Sequence, residues 1–279
     1  MKQLFDKVSN QSARILTKEY STSFSIAVRL LSPSIRQDIY NIYGFVRVAD
    51  EIVDTFHDYP QEEMLDQCES EYRLALERGS STNPILHAFV GTVRNNNIPT
   101  EYIEAFLKSM RTDLSKSLYE KEEELKDYIY GSAEVVGLMC LCVFVKGDME
   151  KFEQLREPAI KLGSAFQKVN FLRDLKQDFD VMERSYFPNV DPTKLNEAEK
   201  KAIEADIKQE FDEARAGIRR LPMEARFGVY VAYRYYLQLL KKIMRTPAND
   251  LKNRRVRVSN PIKIFVLIRS YFRYKLALL

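Results

Sequence analysis

Two short acidic stripes, each written in helical spacing and hemmed by apolar residues, restrict this chain more than any other feature. The first runs Arg47-Val48-Ala49-Asp50-Glu51-Ile52-Val53-Asp54, and the second Asn170-Phe171-Leu172-Arg173-Asp174-Leu175-Lys176-Gln177-Asp178. Asp50 and Asp54 are four residues apart, as are Asn170, Asp174 and Asp178. At that spacing side chains stack on one face of an α-helix, with Cβ atoms about 5–6 Å apart. Each face extends outward: Tyr43, Arg47, Asp50 and Asp54 share one, and Gln167, Asn170, Asp174 and Asp178 the other. Between them stand Phe45, Val46, Val48, Ala49, Ile52 and Val53, then Val169, Phe171 and Leu172. A polar stripe bordered in this way suits a helix within a bundle, its stripe aimed into a cavity.

Like charges one turn apart weaken a helix unless something offsets them. A hard divalent cation does so. Mg²⁺ takes a few carboxylate oxygens, keeps some waters and fills its remaining positions with substrate phosphate. Two facing stripes would clamp a diphosphate. One such pair alone is more simply a solvated surface, with Arg47–Glu51 or Arg173–Asp174 as local ion pairs. Two stripes, each with an arginine and apolar flanks, favour the metal-diphosphate reading.

Composition closes off other chemistries. The 279 residues fit one large domain or two small ones, and nine glycines, ten prolines and no long polar spacer favour one. At 45% hydrophobic and 30% charged, the sequence reads as a soluble chain with a substantial core. His57 and His87 stand beside neither a nucleophile nor a second ligand, which argues against histidine triads and the usual zinc sites. Of the three cysteines, Cys68, Cys140 and Cys142, the last two lie in the apolar run Val135–Val145 and read as packed, reduced core thiols in a reducing compartment. No glycine pair has G-x-G spacing, so neither a dinucleotide fingerprint nor a P-loop is present.

The net charge of +3 is uneven, because residues 252–279 hold eight basic residues and no acidic one. They alternate with Ile262, Ile264, Phe265, Val266, Leu267, Ile268, Tyr271 and Phe272. Such a segment suits an anionic membrane surface and equally suits the closing helix of a bundle. Its charges interrupt any run long enough to span a bilayer. Positive charge confined to one end argues against nucleic acid. The N-terminus is polar from Lys2 onward and shows no secretory signal. The expected location is therefore cytoplasmic, peripheral to the inner face of a membrane, with the chain a monomer or weak homodimer.

Period-3.6 patterning dominates and predicts an all-α chain, with helices near 4–19, 34–56, 61–78, 83–94, 100–115, 122–146, 149–182, 195–219, 222–246 and 260–276. Pro158 interrupts the 149–182 pattern and marks an alternative start for that helix. The irregular stretch 184–196, after the second stripe, is placed to cover a substrate.

Several segments together resemble the phytoene and squalene synthases. They are Ser21-Thr22-Ser23-Phe24, Tyr43-Gly44-Phe45-Val46-Arg47 through Asp54, Tyr128-Ile129-Tyr130-Gly131-Ser132-Ala133-Glu134-Val135-Val136-Gly137, Asn170 through Asp178, and Arg184-Ser185-Tyr186-Phe187-Pro188. The wording is most similar to bacterial phytoene synthases. The resemblance implies a single-domain isoprenoid-synthase bundle around one central cavity, spanning 1–279, with 252–279 as a basic amphipathic end. It implies head-to-head condensation of two geranylgeranyl diphosphates, through prephytoene diphosphate, to phytoene in carotenoid biosynthesis. Asp50, Asp54, Asn170, Asp174 and Asp178 would hold Mg²⁺, with Mn²⁺ as an alternative. Arg47 and Arg173 would bind diphosphate oxygens, with Ser23, Tyr43 and Gln167 completing the polar mouth. Phe24, Tyr130, Tyr186 and Tyr236 would contact substrate. The catalytic set would be Asp50, Asp54, Asp174, Asp178, Arg47 and Tyr43, with no NADPH for phytoene.

Two positions depart from the family pattern. Glu51 replaces a second aspartate one step off the acidic face, where the change should be tolerated, and Glu134 replaces a small glycine. Alternatives within the family are dehydrosqualene or squalene from farnesyl diphosphate. Outside enzymology, the alternative is a non-catalytic assembly factor, against which the full set of Asp and Arg residues argues.

Overall fold

A computed structural model of the chain describes residues 1–182, 184–188, 190–191 and 194–276, with the backbone alone for 177–182. The described residues form helices α1 (Lys2–Tyr20), α2 (Thr22–Arg29), α3 (Pro33–Asp54), α4 (Gln61–Arg78), α5 (Pro84–Asn95), α6 (Thr100–Asp113), α7 (Glu122–Ile129), α8 (Val135–Val145), α9 (Met149–Met182), α10 (Glu197–Arg220), α11 (Met223–Met244), α12 (Ala248–Leu251) and α13 (Asn260–Lys275). Among them the only β-type pairing is an isolated parallel bridge between Leu118 and Ser185.

Local chemistry sets these boundaries. Pro33 and Pro84 occupy first turns, where a missing N–H costs nothing. The Asn83 side chain accepts from the Ile85 and Leu86 amides, and Asn196 with Glu199 forms a reciprocal capping box. α4 stops at Gly79, whose φ of +72° suits glycine.

α3 is the axis of one half. Ile35, Ile39, Ile42, Phe45, Ala49 and Ile52 are buried along it, and Phe45 stacks on Phe89 of α5 with ring centroids 4.0 Å apart. Burying a ring such as Phe45 contributes about 1.5–3 kcal/mol. That apolar side fixes α3 against α4, α5 and α6 and turns Tyr43 and the acidic face the other way.

The predicted helix 122–146 forms as one rod with a π turn at Tyr130–Glu134 joining α7 to α8. Two glycines explain how this turn is held. A Cβ on Gly131 would lie 2.6 Å from the Ala105 carbonyl of α6, and one on Gly163 of α9 2.9 Å from the Ala133 carbonyl. Residues 122–145 are long and apolar enough to cross a membrane by composition alone. In the fold this rod is a core element, with Val135, Leu138 and Met139 fully buried and α8 packed on α3, α6 and α9.

The predicted helix 149–182 forms as α9 and runs unbroken through Pro158, so the alternative start there is not used; Pro158 rests against Gly217 of α10, where an added Cβ would meet it at 2.2 Å. One stretch read without a helix does contain one. The segment 20–33 is not a connection, because it contains α2, capped by the Ser21 side chain accepting from Phe24 N. At eight residues α2 is too short to show a period.

Candidate active site

One residue of each stripe's face, Tyr43 of α3 and Gln167 of α9, lines a single cavity. Tyr43 and Val46 of α3 line it, as do Phe166 and Gln167 of α9 and Tyr236 of α11, with Ser132, Ala133, Val136 and Gly137 from the π turn and α8. Deeper in, the wall is Phe24, Val28, Leu31, Leu141, Phe144, Leu155, Leu162, Ile218 and Leu221. The cavity and its open mouth enclose about 1370 Å³. It is an apolar sac, and the charged residues of the two stripes lie further along α3 and α9 than the residues that line it.

On the α3 side, Arg47 donates to Asp50 at 2.5 Å and to Glu51 at 2.9 Å, and its guanidinium lies 4.4 Å over the Tyr20 ring. Glu51 also bonds Thr55 and the Tyr20 hydroxyl. It therefore holds Arg47 from the flank opposite Asp50. Burial and the adjacent Asp54 push the Asp50 carboxyl up to about 7, although 33% of its side chain is exposed and solvent screens part of that push. Tyr43 stacks on Phe24 with centroids 4.9 Å apart, bonds Ser21, and is raised to about 12 by burial.

On the α9 side, Gln167 donates to Ser132 and Asn170 to Gln167, both at 3.4 Å. The Tyr236 hydroxyl donates to Asn170 Oδ1 at 3.3 Å while its ring stacks on Phe166 at 3.9 Å. Tyr236 and Tyr43 both line the cavity, so the α9 and α3 faces share one wall. Asp174 accepts from Arg173 Nε at 3.0 Å and pairs with Arg255 Nε at 2.6 Å. The side chain of Asp178 lies outside the described residues. Both local ion pairs expected of a plain surface, Arg47–Glu51 and Arg173–Asp174, do form, but beside a cavity.

Three residues beside these carboxylates were given no role by sequence reasoning, although Arg184 opens one of the resembling segments. Arg184, from the segment after α9, donates to Asp54 at 2.8 Å and to the Asp113 carbonyl at 3.0 Å. Asp113, at the end of α6, is buried; its Oδ2 accepts from Tyr128 at 2.9 Å, while its Oδ1 has no hydrogen-bond partner. Burial raises it to about 7 against the opposing pull of Arg184 and Tyr128. Arg255 reaches Asp174 from the chain end, 81 residues away. No local periodicity signals any of them.

Other expected contacts sit elsewhere. Tyr186 is buried in an aromatic block, stacked on Phe171 at 3.9 Å and beside Tyr128 and Tyr119, rather than on the cavity wall. Tyr130 and Ser23 are half-buried and do not line the cavity. Glu134 lies behind the wall, raised to about 7 by burial and Glu210 and opposed by Lys161 and Lys168.

The carboxylates beside the cavity offer only hard oxygen donors, and Asp54 repels Asp50 while Arg47 and Arg184 oppose that repulsion. That donor set fits Mg²⁺ or Mn²⁺. Among the described residues no three His, Cys, Asp or Glu groups converge on one point. An ion here would draw its remaining ligands from water and substrate oxygens.

A fold of this kind, with charged stripes beside an apolar sac, is that of the isoprenoid synthases. The squalene/phytoene synthase family profile matches residues 17–261, and the chain belongs to this family of prenyltransferases. It is 28% identical to phytoene synthase 2 of Solanum lycopersicum, over 91% of this chain and 87% of that one. It is 29% identical to 15-cis-phytoene synthase of Synechocystis sp., over 93% and 83%. In fold it is similar to a dehydrosqualene synthase, with a TM-score of 0.84 over 98% of both chains at 24% identity. A squalene synthase from Alicyclobacillus acidocaldarius follows, with a TM-score of 0.74 over 86% of this chain and 94% of that one at 23% identity.

Proposed function

We propose that the protein condenses two molecules of geranylgeranyl diphosphate head to head, through a cyclopropylcarbinyl diphosphate, to phytoene. Two diphosphates and two protons leave. The observation that carries this reading is the placing of two arginine–carboxylate stripes beside a single apolar cavity. Relatives at 28–29% identity that are named phytoene synthases support the choice of substrate.

Asp50, Asp54, Asn170, Asp174 and Asp178 are the residues to hold Mg²⁺, which when bound withdraws charge from the departing diphosphate. Arg47, Arg173, Arg184 and Arg255 surround the same place with fixed positive charge, where negative charge develops on the leaving oxygens. Glu51 and Tyr20 hold the Arg47 fork, so little reorganisation is needed as the bond breaks. Inside, Phe24, Tyr43, Phe166 and Tyr236 turn aromatic faces toward the allylic cation, and the apolar wall excludes the water that would quench it. Tyr43 stays protonated at neutral pH and serves as a donor at the rim.

The chemistry also favours work at a membrane surface, since substrate tails and product are insoluble in water and the chain end is strongly basic. The test is product analysis with geranylgeranyl or farnesyl diphosphate, each with and without NADPH and with and without chelator. Phytoene from the longer substrate, dependent on Mg²⁺ and indifferent to NADPH, is the expected result. A C30 product alone, or full activity after exhaustive metal removal, overturns the reading.

A further inference from the structure

The orientation of α13 is the reverse of what a bundle helix requires. Its inward side packs Val266 and Leu267 against Val231 and Tyr235 of α11 and Ile26 and Leu30 of α2. That same side carries Ser270, fully buried with no partner for its hydroxyl, and the half-buried Lys263. Its outward side carries Ile264, Phe265, Ile268, Phe272 and Leu276, with Phe265 62% and Phe272 59% exposed. A helix held only by the bundle turns its isoleucines and phenylalanines inward. A contiguous exposed apolar face of this size marks an interaction surface.

Charge decides the occupant. Arg269 and Lys275 are exposed among these apolar side chains, and residues 252–276 contain no acidic group. Two copies meeting through this face would bring like charges together. An anionic bilayer offers the complement, each basic residue near it strengthening attachment about fivefold, with apolar side chains entering the acyl boundary.

We propose that the outward face of α13 is a lipid-inserting surface that docks the enzyme on anionic phospholipid. The inference rests on the membrane-surface reading above and assigns it to one helix face. It has a consequence for traffic. α2 and α11 hold α13 on one side, and on the other they line the cavity through Ala27, Val28, Gly228, Val229 and Ala232. Docking through α13 sets that wall beside the lipid and shortens the path of an insoluble product into it.

The chain has no tryptophan, so a single introduced indole reports its own surroundings. Full-length Phe265→Trp is mixed at low salt with phosphatidylcholine vesicles containing phosphatidylglycerol. Leu74→Trp on α4, which packs with α3, α5 and α6, is the control. The Phe265→Trp emission shifts to the blue and is quenched by brominated acyl chains, while the control does not change. The pair Phe265→Ser and Phe272→Ser lowers vesicle partitioning at least about tenfold, with helical content and melting temperature retained because both positions are exposed. Sedimentation with vesicles but no change in Phe265→Trp emission overturns the assignment to α13 and leaves the membrane reading standing. No sedimentation at low salt overturns both. A blue shift that grows with protein concentration in the absence of vesicles gives the face to a second copy and overturns the inference.

Discussion

Arginine meets each described carboxylate of the two stripes: Arg47 on Asp50, Arg184 on Asp54, Arg173 and Arg255 on Asp174. The two sides respond differently to losing a carboxylate. Asp50→Ala removes a charge that Asp54 repels, so we expect kcat/KM to fall by about 10³-fold or more with no loss of melting temperature. Asp174→Ala leaves Arg173 and Arg255 without the anion they share, so activity falls as far and about 1–2 kcal/mol of stability goes with it. Steady-state kinetics beside thermal melts separate the two cases, and near-wild-type turnover in either variant contradicts the site. Asp113 makes a pH prediction. Its folded pKa of about 7, against 3.8 when free, means the native state binds that proton more tightly. This stabilisation is complete below pH 3.8 and is lost as pH rises through 7. Lowering the pH from 8 to 6 should therefore stabilise the wild type by about 1 kcal/mol more than it stabilises Asp113→Asn. Parallel stability profiles for the two proteins contradict it.

At the scale of elements, the π turn and its glycine contacts position the cavity wall. Gly131→Ala drives a Cβ against the Ala105 carbonyl and Ser109, neither of which is a flexible tip. We expect a loss of about 1–3 kcal/mol, read as a lowered melting temperature. An unchanged melt would mean that α6 yields freely. The long helices and the acidic faces on α3 and α9 were legible in the sequence, because spacings of three and four among apolar residues recur over several turns. α2 was not, being eight residues rich in serine and threonine. Arg184, Asp113 and Arg255 were not either, since only tertiary packing carries the segment after α9, the end of α6 and the chain end to the acidic stripes. Glu51 was read as a tolerated change off the acidic face, yet its off-face position is what lets it grip Arg47. The resemblance brought Tyr186 toward substrate, while packing stacks it on Phe171. Sequence order gives no measure of which aromatic faces a cavity and which faces its neighbours.

For the whole molecule, the account makes one cavity out of two halves, α3 on one side and α9 on the other, which share its wall through Tyr43, Gln167 and Tyr236. α11 and α2 close the wall, and α13 is fastened to their outer side. Such an arrangement predicts that both prenyl diphosphates are held at once by a single chain. The direct measurement is the binding stoichiometry of geranylgeranyl thiodiphosphate, whose C–S bond in place of the C–O bond resists ionisation, by calorimetry with and without Mg²⁺. The account predicts two molecules per chain in Mg²⁺, with Asp50→Ala and Asp174→Ala each weakening binding and chelator abolishing it. One molecule per chain at saturation, or binding indifferent to both metal and the two substitutions, would contradict it.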